Sequence, residues 1–162
     1  MTGLPVDFQD GVTEVDLAGD LAAAYPRGFV GVSFRIDASG AFKNIYLRPT
    51  NGVANDQVRR NHTIQYFAYP EHPFDRLPKE APERYETHTD IAPGRWTRMK
   101  IIVTNAKVRL YLDDRQAPVF LVNDLKLGPG QRGGVGIWIE SGTVACFRNL
   151  RVTPAKTKET PP

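Results

Sequence analysis

Apolar and polar positions alternate with a period of two along most of this chain. The run from Val30 to Ile36 places an apolar side chain at every second residue, which predicts a half-buried β-strand with those side chains on one face. Comparable runs occupy residues 13–17, 41–48, 84–91, 96–103, 108–112, 119–122, 135–140 and 143–152. Such a succession of short strands is typical of an all-β protein.

Residues that favour turns separate the predicted strands. They lie at residues 37–40, 50–52, 92–94, 113–114 and 128–130, where Gly, Pro, Asn or Asp is concentrated. The helix-like stretch Leu17–Tyr25 is short. Parallel strands need long crossover connections, usually helical, and the chain has no room for them. The pattern therefore predicts an antiparallel β-sandwich.

The chain has the length of one domain, and two segments fall outside its strand pattern. With 162 residues it can bury about two-thirds of its unfolded surface. The segment Pro70–Pro82 is too rich in proline for a central strand, and a long surface loop of this kind is often functional. The polar, proline-rich end predicts a frayed tail or linker. We expect a domain over residues 1–153 and a tail over residues 154–162.

Charge and hydropathy exclude some classes of partner. The formal net charge is +3, from 21 basic and 18 acidic residues that are scattered along the chain, so we expect no nucleic-acid partner. No apolar run approaches the roughly 20 residues of a membrane span, so we expect no membrane partner. The start, Met1–Gly11, lacks the features of a secretion signal, as expected of a cytoplasmic protein or a trimmed secreted domain. The oligomeric state stays open.

The single cysteine and the acidic pairs bear on disulfides and metals. One cysteine, Cys146, excludes an intrachain disulfide and a cysteine-cluster zinc site. Its apolar surroundings predict a buried structural thiol. The oxygen-rich pairs at residues 113–114 and 123–124 are better explained as turns than as calcium ligands. We predict no metal site and no cofactor.

The segment Asn44–Tyr69 has the composition of a binding surface. It combines arginine, asparagine, histidine and glutamine with several aromatic residues, in a region otherwise patterned as strand. Multi-donor side chains can bind hydroxyl or carboxylate groups, and aromatic faces can stack on the apolar surfaces of a ligand. The composition predicts a site for a polar ligand without identifying the ligand.

Two later segments carry a family resemblance. They are Trp96–Asp114 (WTRMKIIVTNAKVRLYLDD) and Gly133–Val152 (GGVGIWIESGTVACFRNLRV). Together they resemble the second half of a laminin-G-like domain of the concanavalin A-like lectin/glucanase superfamily, and the resemblance extends from Gly11 to Pro154. Residues 44–66 resemble a bacterial subgroup of that superfamily with no assigned activity. This superfold hosts lectins, hydrolases, lyases and inert spacers.

The resemblance implies a jelly roll of two curved sheets that holds carbohydrate or another extended ligand on its concave face. If Ile45 and Leu47 face the core, Tyr46 and Arg48 point into that groove. Arginine would then give charge-assisted hydrogen bonds, amides would bind hydroxyls, and rings would stack. The predicted ligand-binding side chains are Tyr46, Arg48, Arg59, Asn61, His62, Gln65, Tyr66 and Trp138.

Two other functions remain open at this point. The paired carboxylates of a glucanase strand are absent, because Glu83 and Glu86 would lie on opposite faces of a strand. A lyase or isomerase acting on a sugar or similar metabolite needs less, and His62 as base, with Tyr66 and Glu86, could supply it. A scaffold that joins proteins through exposed sheet edges is the third alternative. The leading hypothesis is a module that binds carbohydrate or another polar ligand.

Overall fold

The computed structural model describes residues 2–20 and 28–156, with the side chain of Asp20 left aside. Its strands are β1 (Thr2–Phe8), β2 (Gly11–Asp20), β3 (Val30–Ile36), β4 (Phe42–Leu47), β5 (Ile64–Tyr69), β6 (Glu86–Thr87), β7 (Thr97–Thr104), β8 (Lys107–Leu112), β9 (Phe120–Val122), β10 (Gly133–Ile139) and β11 (Val144–Pro154). The helices are α1 (Pro49–Gly52), α2 (Gln57–Asn61) and α3 (Leu77–Glu80).

These strands form two antiparallel sheets. The front sheet has six strands in the order β1-β10-β3-β4-β5-β6, and the back sheet has five in the order β11-β2-β7-β8-β9. Neighbouring strands run antiparallel throughout both orders. The prediction of an all-β antiparallel sandwich is confirmed.

The core lies between the sheets, where alternate residues of each sheet meet. Val32 and Phe34 of the front sheet and Met99 and Leu110 of the back sheet are fully buried. Burying one such side chain contributes about 1.5–3 kcal/mol, so the period-two pattern determines which face of each strand turns inward. The residues that alternate with these core residues project from the outer face of the front sheet, away from the back sheet.

A β-bulge at Arg35 changes the face of the residue that follows it. Arg35 has a φ of 53°, and the pairing of β3 with β10 shifts register at this point. Its buried guanidinium donates to Asp10 Oδ1 at 2.9 Å and to the Asn105 carbonyl at 2.7 Å. Ile36 consequently packs over Gly136 on the outer face of the front sheet. The prediction that Ile36 shares the face of Phe34 is wrong, because a bulge inserts one residue into the alternation.

Three local predictions also need correction. Within the segment Asn44–Tyr69, which is otherwise patterned as strand, residues 57–61 form the helix α2, and the Asp56 side chain caps it by accepting from the Val58 N–H at 3.0 Å. Of residues 84–91, only Glu86–Thr87 forms a strand. The loop Pro70–Pro82 includes the short helix α3.

The ends of the pattern differ from expectation as well. Of the helix-like stretch Leu17–Tyr25, residues 17–20 belong to β2 and the rest lie outside the described residues. Pro154 ends β11, and beyond Lys156 the predicted tail lies outside the described residues.

Cys146 is exposed, not buried, because β11 is an edge strand that turns the neighbouring Ala145 and Phe147 towards the core. No helix in the described ranges is long and apolar enough to cross a membrane.

A lysine lies on the core face of the front sheet. Lys43 pairs with Phe34 and Ala68, is fully buried, and donates from Nζ to Gln131 Oε1. Burial, assisted by the positive charge of Arg35, lowers the pKa of Lys43 to about 7. The folded protein therefore favours the neutral amine of Lys43 above about pH 7.

We expect stability to rise between pH 7 and pH 9, because the unfolded chain binds a proton at Lys43 that the folded protein releases. The slope from this group approaches about 1.4 kcal/mol per pH unit. Urea unfolding at several pH values should show this slope in the wild type and its loss in Lys43→Met. Lys107→Met, at an exposed lysine of β8, is the control and should keep it. Equal slopes in all three proteins would contradict the assignment.

Candidate functional site

One row of paired residues crosses the outer face of the front sheet. Trp138 pairs with Gly31, Gly31 with Tyr46, Tyr46 with Gln65, and Gln65 with Glu86. Directly paired residues of an antiparallel sheet project from the same face. We call these five residues the front row. The sheet thus brings together Tyr46, Gln65 and Trp138 of the predicted site.

Aromatic rings cover one end of the front row. The Tyr46 and Trp138 centroids are 4.9 Å apart, and Phe67 lies 5.8 Å from each of them. Tyr46 and Phe67 are 2% and 4% exposed, whereas Trp138 is only partly buried. Trp138 is therefore the ring of this cluster that has surface left for a ligand.

Gly31 makes this ring packing possible. It lies between the strands of Tyr46 and Trp138, and a Cβ at Gly31 would lie 2.6 Å from the Tyr46 Cβ and 2.2 Å from the Ile45 carbonyl oxygen. Both distances are far inside van der Waals contact. Only a residue without a side chain fits this point of the sheet.

Arg48 organises the polar end of the front row. Its Nη1 donates to the His62 carbonyl at 3.0 Å and to Glu86 Oε1 at 3.1 Å. Its Nη2 donates to the Tyr46 hydroxyl and to Gln65 Oε1. Four of the five N–H groups of the guanidinium therefore have acceptors within the protein.

The faces of the Arg48 guanidinium are covered too. Its Cζ lies 5.4 Å from the Phe29 ring centroid and 4.9 Å from that of Tyr46. Cation–π contact of this kind favours a desolvated arginine, and the side chain is only 13% exposed. Arg48 holds the site together more than it presents itself to a ligand.

Tyr46 and Gln65 extend this network to the proline-rich loop. The Tyr46 hydroxyl donates to Gln65 Oε1 at 2.5 Å, and Gln65 Nε2 donates to the Phe74 carbonyl at 2.5 Å. Burial raises the pKa of Tyr46 well above its usual range, against the opposing effect of Arg48. Tyr46 is thus a protonated donor at neutral pH, and loop 70–82 is anchored to the site.

Glu86 and His62 complete the polar end. The Glu86 carboxylate is 3% exposed, and its Oε2 lies 2.8 Å from His62 Nδ1. The approach lacks the alignment of a hydrogen bond, so we treat it as an electrostatic contact. The His62 side chain is 34% exposed and is the accessible polar member of the group.

Arg59 and Asn61 lie on α2, outside the front row. Arg59 is exposed, and its Nε donates to Asn51 Oδ1 at 3.0 Å; Asn51 in turn donates to the His62 carbonyl at 3.0 Å. Asn61 donates to Glu83 Oε1 at 3.2 Å. The helix turns these two side chains away from the sheet, at the rim of the site.

Tyr66 is the one predicted site residue that lies on the core side of the front sheet. It follows Gln65 in β5 and therefore projects from the opposite face, into the core, where it is fully buried. Its hydroxyl accepts from the Lys126 N–H at 2.9 Å. Burial raises the pKa of Tyr66 well above its usual range. It can neither contact a ligand on the front sheet nor act as the base there.

The sequence-based set omitted Phe29, Gly31 and Phe67. Phe67 could have been found, because it lies two residues after Gln65 and so on the same face of β5. Nothing in the sequence indicates the position of Phe29 over Arg48 or the need for glycine at residue 31. No group of three His, Cys, Asp or Glu side chains that could hold a metal ion occurs within the described residues.

The fold has counterparts among solved structures. The carbohydrate-binding module CBM66 from Bacillus subtilis superposes with a TM-score of 0.63, 16% identity and coverage of 90% of this chain and 75% of that one. Caenorhabditis elegans galectin LEC-6 gives 0.58, 9% identity and coverage of 93% and 89%. Sheep galectin-11, in complex with glycerol, gives 0.60, 9% identity and coverage of 93% and 96%. No protein-family model and no curated protein sequence matches the chain. At these identities the likeness shows the fold alone.

We expect Gly31→Ala to destabilise the protein by about 1–3 kcal/mol, as overpacking does, because the new methyl group meets the Ile45 and Tyr46 backbone. The near-ultraviolet circular dichroism of the Tyr46–Trp138 cluster should change with it. Gly130→Ala, where a Cβ meets nothing within 4 Å, is the control and should stay within about 0.5 kcal/mol of wild type. Equal stability of both variants would argue against tight packing at Gly31.

Proposed function

We propose that this protein binds carbohydrate on the outer face of its front sheet. The observation that carries the proposal is the front row itself, in which a partly exposed tryptophan lies beside a buried, hydrogen-bonded polar network. A sugar ring offers an apolar C–H face and a rim of hydroxyl groups. It is matched by an aromatic face next to hydrogen-bonding side chains.

The residues of the site have different roles in this proposal. Trp138 stacks on the sugar, and His62 exchanges hydrogen bonds with its hydroxyls. Arg48, Tyr46 and Gln65 hold the positions of their neighbours, because their own polar atoms already bond within the protein. Preorganisation of this kind lowers the entropy that binding would otherwise cost.

The rim of the site and the structural neighbours add support. Arg59 and Asn61 lie at the end of the site next to His62, where they could contact a ligand longer than one sugar ring. A carbohydrate-binding module and galectins share the two-sheet architecture. Folds host many functions, so this likeness is secondary support and the site carries the proposal.

Trp138→Ala should abolish binding to every member of an array of neutral and acidic oligosaccharides, because it removes the ring that stacks on the sugar. The protein should stay folded, because this ring is only partly buried. Trp96→Ala removes the other tryptophan of the chain, which stacks against Arg148 at 4.0 Å on the back sheet, and should bind like the wild type. Isothermal titration of the best oligosaccharide would measure the difference. Unchanged affinity in folded Trp138→Ala would remove the tryptophan from the site.

The contact between His62 and Glu86 favours a second candidate function. A carboxylate 2.8 Å from a partly exposed imidazole can orient the ring towards a bound ligand. A lyase- or isomerase-type enzyme acting on a bound sugar would then use His62 as base and Glu86 as its orienting group. Tyr66 has no part in this candidate, since it faces the core.

If this second candidate is correct, His62→Ala should lose product formation from a saccharide that it still binds. Nuclear magnetic resonance of the saccharide over time would detect new products. His88→Ala is the matched control, because His88 contacts Arg60 and Asp90 and lies outside the front row. A wild-type protein that binds saccharides and leaves them unchanged would exclude the enzyme and retain the binding module.

A further inference from the structure

We infer that this site selects neutral, hydroxyl-rich saccharides and discriminates against uronic acids and other anionic sugars. The inference rests on the proposed carbohydrate site and specifies its ligand class. It runs against the sequence pattern, in which several arginines suggest a site for a carboxylate. The structure shows that the arginine at the centre of the site is already occupied.

A ligand carboxylate is bound most strongly by a pair of parallel N–H groups on one arginine. In Arg48 both terminal nitrogens donate twice, to the His62 carbonyl and Glu86 through Nη1, and to Tyr46 and Gln65 through Nη2. Only the Nε–H remains outside these four bonds. No edge of this guanidinium can therefore offer the paired geometry without the loss of an internal bond.

The charge of Arg48 is balanced as well. Glu86 Oε1 lies 3.1 Å from Nη1, with 13% of the arginine side chain and 3% of the glutamate side chain exposed. Opposite charges this close in a poorly solvated site largely cancel at a distance. An anionic ligand would therefore gain little net attraction from this pair, while its own carboxylate would lose water without gaining a charged partner.

The other charged groups around this end do not replace Arg48. Arg59 is exposed on α2, with its Nε on Asn51, so water screens its attraction for an anion. Arg60 lies 3.9 Å from Asp90, and His88 Nε2 lies 3.3 Å from the same carboxylate. These groups supply at most a weak, salt-sensitive attraction at the rim.

A neutral sugar makes better use of what the site leaves open. Its hydroxyls can both donate and accept, and so can bond to the accessible side of His62 without displacing any internal bond. Its C–H face can stack on Trp138. The buried pair of Arg48 and Glu86 then carries no net charge and holds the neighbouring side chains in place, so both are positioning residues.

The test compares matched sugars on the unmodified protein. Gluco-, galacto- and manno-oligosaccharides are titrated beside the corresponding glucuronate, galacturonate and mannuronate oligomers, at low and at high salt. We expect the best neutral oligosaccharide to bind at least about tenfold more tightly than its uronate partner, because the uronate carboxylate loses water at the site without gaining a charged partner. Its affinity should not change with salt.

The variant Glu86→Gln removes the negative charge that neutralises Arg48, so the pair gains a net positive charge, while the amide oxygen of Gln still accepts from Arg48. With the neutralising charge gone, the ratio of neutral to uronate affinity should fall towards one or below. Glu83→Gln makes the same change of net charge at an exposed residue that contacts Asn61 instead, and should keep the wild-type ratio. The wild-type comparison decides the matter even if Glu86→Gln does not fold.

The outcomes separate this inference from the function on which it rests. A uronate that binds more tightly than its neutral partner would overturn the inference and leave the carbohydrate site in place. A folded Glu86→Gln with the wild-type ratio would show that Glu86 does not set the preference, and would also overturn it. Binding of neither class would remove the carbohydrate site and the inference together.

Discussion

Strand register in the front sheet is the constraint on which the site depends. Trp138, Tyr46, Gln65 and Glu86 come from four strands and meet only because each pairs with its neighbour in one row. A slip of one residue would turn every one of them to the other face. The apolar partners of these residues, buried against the back sheet, oppose such a slip, and the bulge at Arg35 gives β3 one pairing with β10. The hydrophobic core thus specifies the polar site on its far side.

Within that register, the polar end of the site is built as a closed network. A buried charge is tolerated only when it is paired and hydrogen-bonded, and Arg48 and Glu86 meet both conditions. Closing the network in this way contributes rigidity more than net stability, because desolvation offsets much of the attraction. It also means that the strongest donors face inward. In the proposed function, the groups left for a ligand are an aromatic face and a partly exposed imidazole.

The loop Pro70–Pro82 belongs to the same arrangement. Its Phe74 carbonyl accepts from Gln65 Nε2, and Leu77 of α3 is buried beside the core. The Phe74 side chain, 58% exposed, stays at the surface. The loop is therefore tied to the site at its backbone while it presents an aromatic ring to solvent. Long loops of compact domains are often functional, and this loop contacts the site through the hydrogen bond from Gln65 Nε2 to the Phe74 carbonyl.

The alternation of apolar and polar residues was enough to predict the sandwich, because burial follows this period-two pattern and turn residues mark the strand ends. It also determined the shared face of Tyr46 and Arg48 opposite Ile45 and Leu47, which is local to one strand. It could not show the bulge that moves Ile36 or the helix that carries Arg59 and Asn61 to the rim. The enclosure of Arg48 by Phe29, Glu86 and Gln65 follows from contacts between residues that are far apart in the sequence. The composition of a segment gives the number of its hydrogen-bond donors. Long-range packing determines which of those donors bond within the protein and which remain for a ligand.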